Sequence, residues 1–228
     1  MKYSKIKEGI FLNRPNRFIA YVNVEGEEVV CHVKNTGRCK ELLIPGKSKV
    51  FVEDHGEGTG RKTRYSLIAV EKNGRIINMD SQVPNVIAAD WVRENERFKG
   101  LTYLKREQKF GNSRFDIYFE YNGKKAFMEV KGVTLEDENV VRFPDAPTER
   151  GAKHVRELVD AVKAGYEAYI LFVIQMKDVD YFEPNYITDK AFADALKEAA
   201  ETGVKVMAVD CNVTKDSIEI NEEVKVKL

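Results

Sequence analysis

Asn122-Gly123 lies between two runs of alternating apolar and polar residues, 114–121 and 124–131, and this constrains the chain more than any other feature. The dipeptide supplies the two left-handed residues of a two-residue hairpin turn, and that turn fixes the pairing register of its flanking strands. Tyr121 then faces Lys124 and every facing pair sums to the same number, which sets Asp116 opposite Glu129 and Arg114 opposite Lys131. All four charges are expected on one face. Phe115, Ile117, Phe119, Tyr121, Ala126, Met128 and Val130 make the other face apolar and ready for a core.

Acids placed directly opposite have Cβ atoms roughly 4.5–5.5 Å apart and repel. One can take up a proton, Arg114 and Lys131 can neutralise them, or a divalent cation can bind both. Mg²⁺ prefers oxygen ligands and retains several waters, so Asp116 and Glu129 are candidate ligands. Lys131, on the same face, is then placed to hold or help deprotonate an attacking water. The same residues also read as an ordinary charged cluster. A Glu-x-Lys triplet is not specific, since Glu223-Val224-Lys225 repeats it without a hairpin-paired Asp.

Residues 10–80 alternate with turn-rich breaks and predict strands at 10–24, 27–34, 48–54, 63–72 and 75–79, with one short helix at 38–43. Five strands with such a helix suggest an OB-like small barrel; a β sandwich is the competing architecture. The pattern turns helical at 81–98, which places a boundary between domains 1–84 and 85–228. Beyond it come strands 103–110, 114–121 and 124–131, a loop, helix 149–164, strand 168–174, helix 189–201 and strand 205–211. That alternation predicts an α/β domain with a mixed sheet. Thr148 is the expected N-cap of the 149–164 helix, with Val155, Leu158, Val159 and Val162 as its core stripe and Gly165 as its stop.

Hydrophobic residues make up 43% of the chain and charged residues 32%, a globular composition. The longest apolar run, 168–174, is too short to cross a bilayer, and no apolar stretch follows the first eight residues, so a cytoplasmic protein without a secretory signal is expected. Cys31, Cys39 and Cys211 are scattered and odd in number, which suits reduced thiols, and no zinc spacing is present. Formal net charge is zero, yet residues 1–85 hold 15 Lys and Arg against 10 Asp and Glu, leaving 22 against 27 for the rest.

The basic half is the natural partner for a polyanion. Arg14, Arg17, Lys34, Arg38, Lys40, Arg61, Lys62 and Arg64, interleaved with Phe11, Phe18 and Tyr65, are candidate contacts to phosphates and bases. Asn35-Thr36-Gly37-Arg38 reads equally as an anion cradle or as a plain turn with a helix cap. Residues 56–63 imitate a phosphate-binding loop but put an extra Arg before Lys62 and lack a following helix, so they read as a basic hairpin tip. In the second half Arg114, Arg142 and Arg150 are candidate DNA contacts, and Asp145 and Arg142 precede the helix that could bring them to the site. His154 falls on that helix's polar side and is read as solvated in preference to facing the hairpin. No serine-hydrolase signature exists.

Arg114-Phe115-Asp116, Met128-Glu129-Val130-Lys131-Gly132, residues 143–151 (FPDAPTERG) and residues 35–43 (NTGRCKELL) together resemble the sugar fermentation stimulation protein A family. The resemblance covers both halves. It implies an N-terminal OB-like domain and a C-terminal domain of the PD-(D/E)XK nuclease type in a DNA-binding protein linked to sugar metabolism. Phe115 stands where the name-giving Pro would be, a variable position in such enzymes. Carried over, it puts Asp116, Glu129 and the Val130 carbonyl on Mg²⁺ or Mn²⁺, with Lys131 at the water. The expected function is metal-dependent hydrolysis of single- or double-stranded DNA. The alternatives are a largely sequence-non-specific DNA-binding regulator that keeps a nuclease-like core without turnover and, least favoured, a purely architectural protein. Whether the protein is a monomer or a homodimer is left open.

Overall fold

The computed structural model describes the chain except Thr36 and Thr59. It contains two compact units, one of Met1–Val83 with Gln175–Lys177 and Cys211–Glu219, the other of Pro84–Ile174, Asp178–Asp210 and Ile220–Leu228.

In the first unit β1 (Ile6–Asn13), β2 (Ile19–Val24), β3 (Glu27–Val33), β4 (Lys49–Asp54), β5 (Tyr65–Lys72) and β6 (Arg75–Asn78) share one sheet. β1 pairs antiparallel with β2 and β4, β2 with β3, and β4 with β5; a parallel β3–β5 pairing then closes the circle. This is a closed five-strand OB barrel with β6 added to β5. Closure satisfies the strand edges, and Ala20, Val22 and Val24 alternate inward along β2.

Two expectations are corrected. The span 10–24 is two strands, because Pro15 lacks an N–H and Asn16 Oδ1 accepts from the amides of Phe18 and Ile19, turning the chain. The helix at 38–43 does not form. Cys39 has φ 47° and the amides of Leu42 and Leu43 both donate to its carbonyl, which makes a turn. A left-handed residue cannot continue a right-handed helix. Cys39, Leu42 and Leu43 are nonetheless buried, so the apolar spacing reported burial and not helix.

The second unit opens within α1 (Val83–Glu94), at Pro84, and goes on to a 3-10 turn at Glu96–Phe98. There follow β7 (Leu101–Phe110), β8 (Ser113–Tyr121), β9 (Lys124–Val133), β10 (Leu135–Asp137), β11 (Val140–Phe143), α2 (Glu149–Lys163), β12 (Glu167–Ile174), β13 (Tyr181–Pro184), α3 (Lys190–Thr202), β14 (Lys205–Val213) and β15 (Ile218–Val224), of which the end of β14 from Cys211 and the start of β15 to Glu219 belong to the first unit. The main sheet has the order β15-β14-β12-β9-β8-β7, and β10, β11 and β13 form a small second sheet. β7, β8 and β9 are an antiparallel meander, whereas β9, β12 and β14 run parallel, so the sheet is mixed.

Behind the hairpin Phe98 sets its ring edge-on against Trp91, Phe119, Tyr121 and Tyr169. The face carrying Glu129 is also covered, by α2. That helix begins where Thr148 Oγ1 accepts from the Gly151 amide at 3.0 Å. Asp189 ties two helix starts together, accepting from the Thr148 amide with Oδ2 at 2.8 Å and from the Phe192 amide with Oδ1 at 2.9 Å. The buried arc of α2 is Gly151, Ala152, His154, Val155, Leu158 and Ala161, with Val159 and Val162 only half-buried. The core stripe is therefore turned toward His154 relative to the expected one.

Candidate metal centre and nucleic-acid interface

Asn122 (φ 48°) and Gly123 (φ 73°) are both left-handed, as the tight turn requires. The ladder runs Tyr121↔Lys124, Glu120↔Lys125, Phe119↔Ala126, Tyr118↔Phe127 and Ile117↔Met128, which is the expected register. It stops one pair short of the acids. There the Asp116 side chain replaces backbone pairing: Oδ2 accepts from the Val130 amide at 2.8 Å, and Oδ1 accepts from Asn85 Nδ2 of α1 at 2.7 Å.

Glu129 is 2% exposed. Its Oε1 accepts from Lys131 Nζ and from His154 Nδ1, each at 2.6 Å. Its Oε2 is buried with no hydrogen-bond partner among the described residues. Such orphans are rare in native folds and mark either stored strain or a missing ligand.

The two acids are electrostatically unlike. Burial first, and the neighbouring Glu129 charge second, push Asp116 up to about 6. Burial also pushes Glu129 upward, but the His154 hydrogen bond and the charge and hydrogen bond of Lys131 outweigh it and hold Glu129 below its usual value. Asp116 thus binds a proton more tightly folded than unfolded. Its contribution to stability is complete below about pH 4 and is lost as pH rises toward about 6. Asp116→Asn, which gives up one of the two accepted hydrogen bonds at every pH, is expected to flatten that pH dependence, so that its stability relative to wild type rises by about 1–2 kcal/mol between pH 4 and 7 in metal-free urea titrations. Parallel stability profiles for the two proteins would refute the shift.

His154 corrects the sequence reading. It is 7% exposed and bonded to Glu129, not solvated. Its signal was available in the i, i+4 pairing with Leu158 and the i+7 position of Ala161. Asn85 gave no sequence signal, lying on a helix far from the hairpin in sequence. Arg114 does not neutralise the acids: its side chain is exposed and its ion-pair partner is Glu107 of β7 at 3.8 Å. It instead helps line a cleft of about 520 Å³, with Lys109, Arg150, Lys153 and His154 also on its wall and Glu149 as the one acid. Arg142 is held by Glu183 Oε1 at 2.7 Å.

Several first-unit candidates are structural. The terminal nitrogens of Arg14 donate to the carbonyls of Arg17, Asn35, Gly37 and Arg38 at 2.6–2.9 Å. Lys34 pairs with buried Asp80 at 2.9 Å, and Asn35 bonds the Gly37 amide and the Met79 carbonyl. Arg64 forks onto both oxygens of Asp54 at 2.7 Å, which holds that carboxyl well below its usual range. Arg17, Arg38, Lys40 and Arg61 are exposed, and the first three line a cleft of about 710 Å³. Of the interleaved aromatics Phe11 and Tyr65 are buried and Phe18 is 55% exposed. Thr36 of the expected cradle and Thr59 of the basic tip lie outside the described residues. Cys31, Cys39 and Cys211 are all buried. Among the described residues no helix is long and apolar enough to cross a membrane.

The chain thus joins a closed OB barrel to a mixed-sheet α/β unit of the nuclease-like fold class, in which a helix covers an Asp–Glu–Lys hairpin. Sequence models agree: the sugar fermentation stimulation protein RE domain matches residues 82–217, and the SfsA N-terminal OB domain matches 12–79. Sugar fermentation stimulation protein homologs from Desulfitobacterium hafniense (strain Y51) and Clostridium beijerinckii are 59% and 57% identical over 228 residues, covering all of this chain and 99% and 100% of theirs. The structure of Pyrococcus furiosus SfsA in complex with Ca²⁺ superposes with a TM-score of 0.90 at 30% identity, covering 100% of this chain and 98% of that one. The chain belongs to the sugar fermentation stimulation protein (SfsA) family.

Proposed function

We propose that this protein hydrolyses phosphodiester bonds in DNA with the help of Mg²⁺ or Mn²⁺ held by Asp116, Glu129 and the Val130 carbonyl. The observation that carries the proposal is Glu129 Oε2, an anionic oxygen buried with no donor among the described residues beside a second carboxylate. A cation there offsets both the orphan and the repulsion between the acids. In an extended strand the N–H and C=O of one residue point to the same edge, so the Val130 carbonyl is directed toward β8 as its amide is. No three His, Cys, Asp or Glu side chains gather into a metal cluster among the described residues. Mg²⁺ does not require one, since it is commonly bound by one or two carboxylates with waters completing the octahedron. The Ca²⁺ complex of the P. furiosus relative also favours a divalent, oxygen-preferring site.

When bound, the cation would supply Lewis-acid stabilisation of charge on phosphoryl oxygens and an acidified water. The chain's own residues do the rest. Lys131, fixed on Glu129 Oε1, can orient the attacking water, and Lys109, Arg114, Arg150 and Lys153 give the adjoining cleft the charge to bind a phosphodiester backbone. Exposed Arg17, Arg38 and Lys40 offer the barrel's contribution.

The test is a cleavage panel of single-stranded, duplex and branched DNA with Mg²⁺ and with Mn²⁺. Wild type is expected to cleave at least one substrate, and Lys131→Ala to do so about 10²–10³-fold more slowly with its fold intact. Binding without cleavage on every substrate would leave a DNA-binding protein that keeps the nuclease fold and would end the catalytic reading.

A further inference from the structure

We infer that His154 is a positioning residue that couples occupancy of the phosphate-binding cleft to the metal-binding geometry of Glu129. The inference rests on the metal reading above and adds a connection between two of its parts.

His154 Nδ1 and Lys131 Nζ converge on the same oxygen of Glu129, each at 2.6 Å. Two donors on Oε1 fix the rotation of the carboxylate and leave Oε2 with no donor among the described residues. On the other side of the ring, Arg150 Nε donates to His154 Nε2 at 3.4 Å. A guanidinium can only donate, so Nε2 is the acceptor and Nδ1 carries the proton. The ring is therefore the tautomer that offers Nδ1–H to Glu129. Donor chemistry alone sets that direction.

Arg150 is exposed, lines the cleft, and stands one helical turn before His154 on α2. A phosphate drawn to its terminal nitrogens would tighten or reorient the Nε contact, and the imidazole would carry that change to Oε1. The start of α2 is held by the Thr148 cap and by Asp189, so the helix does not absorb the movement by shifting along its axis. A merely structural histidine would fill the same space and accept the same burial. It would not make cation and phosphate affinities depend on each other.

Coupling between two sites is reciprocal, with typical factors of about 5–150. Mn²⁺ affinity, read from the electron paramagnetic resonance signal of the free ion, is measured with and without a phosphorothioate oligothymidylate chosen to resist cleavage. Wild type is expected to bind Mn²⁺ at least about fivefold more tightly with the oligonucleotide present. His154→Leu, which lacks both bonds, should weaken Mn²⁺ about 10–100-fold. His154→Asn keeps a donor near Nδ1 and loses the Nε2 acceptor. It should hold Mn²⁺ near the wild-type affinity while the oligonucleotide no longer tightens it. Should the Leu variant fail to fold, judged by circular dichroism, the Asn variant alone decides. Unchanged Mn²⁺ affinity in a folded Leu variant, or preserved tightening in the Asn variant, overturns the inference and leaves the metal reading standing. Absence of Mn²⁺ binding by wild type overturns both.

Discussion

Glu129→Gln is expected to lower metal-dependent DNA cleavage at least about 10²–10³-fold while the protein stays folded. The substitution keeps the shape of the side chain and, with the amide oxygen at Oε1, keeps an acceptor for Lys131 and His154. What it removes is the negative charge and the anionic lone pair of Oε2, which has no donor among the described residues. Removing one partner of a fully buried ion pair costs about 3–5 kcal/mol. Here the cost should be smaller, since the Lys131 side chain retains 17% exposure and the Asp116 charge also acts on it. Cleavage rates in Mg²⁺ and Mn²⁺, beside urea titrations of both proteins, check the two halves of this expectation. A folded Glu129→Gln protein cutting DNA at the wild-type rate would remove the centre from the chemistry.

The largest effect on stability is expected at Phe98. The side chain is 1% exposed and meets four other rings at centroid distances of 4.9–5.8 Å, all near perpendicular. Phe98→Ala should cost about 3–5 kcal/mol, from lost burial, the cavity left and the edge-to-face contacts. Phe98→Leu should recover part of that, and Ile187→Ala, at a residue 98% exposed, should change stability by less than about 0.5 kcal/mol. Urea midpoints of the three variants against wild type decide the point. A Phe98→Ala loss no greater than about 1 kcal/mol would mean that the sheet's rear face is repacked or loosely held.

How much of this was legible in the sequence depended on whether the determining interaction was local. The hairpin register followed from two turn residues and a period of two, and it needed nothing distant. The long elements of the second unit were equally readable, since each spans enough residues to show its period. β10, β11 and β13, of three or four residues, are too short to show one, and β13 ends in a proline. β15 was hidden for another reason: with burial confined to few of its positions and three acids or amides in succession, Ile218–Val224 reads as solvated chain.

At the site, Asp116, Glu129 and Lys131 were legible because one turn aligns them. Asn85 was not, because a helix separated from the hairpin in sequence delivers it, and for His154 the helical spacing signalled burial but not its partner Glu129. The barrel's cations show the converse. Arg14, Lys34 and Arg64 look like free charge in a composition count, yet their partners are carbonyls or acids brought near only by folding. Counting basic residues therefore overstated the surface available to a polyanion: Arg17, Arg38, Lys40, Arg61 and Lys62 remain exposed, while Arg64, also exposed, is held on Asp54.

The barrel unit is assembled from three separate stretches of chain. Met1 exchanges hydrogen bonds with Ile218, the Tyr3 amide donates to Asp216, and the Gln175 side chain donates to Asn78 and to the Asp80 carbonyl. A gene fragment ending at residue 83 would encode every barrel strand and still lack the pieces that cover its first residues and satisfy its buried amide. During synthesis the barrel must wait for residues beyond 210 to leave the ribosome before it is complete. Fusions and circular permutants that respect the order of the genes but not this interleaving would start life with a barrel missing two of its parts.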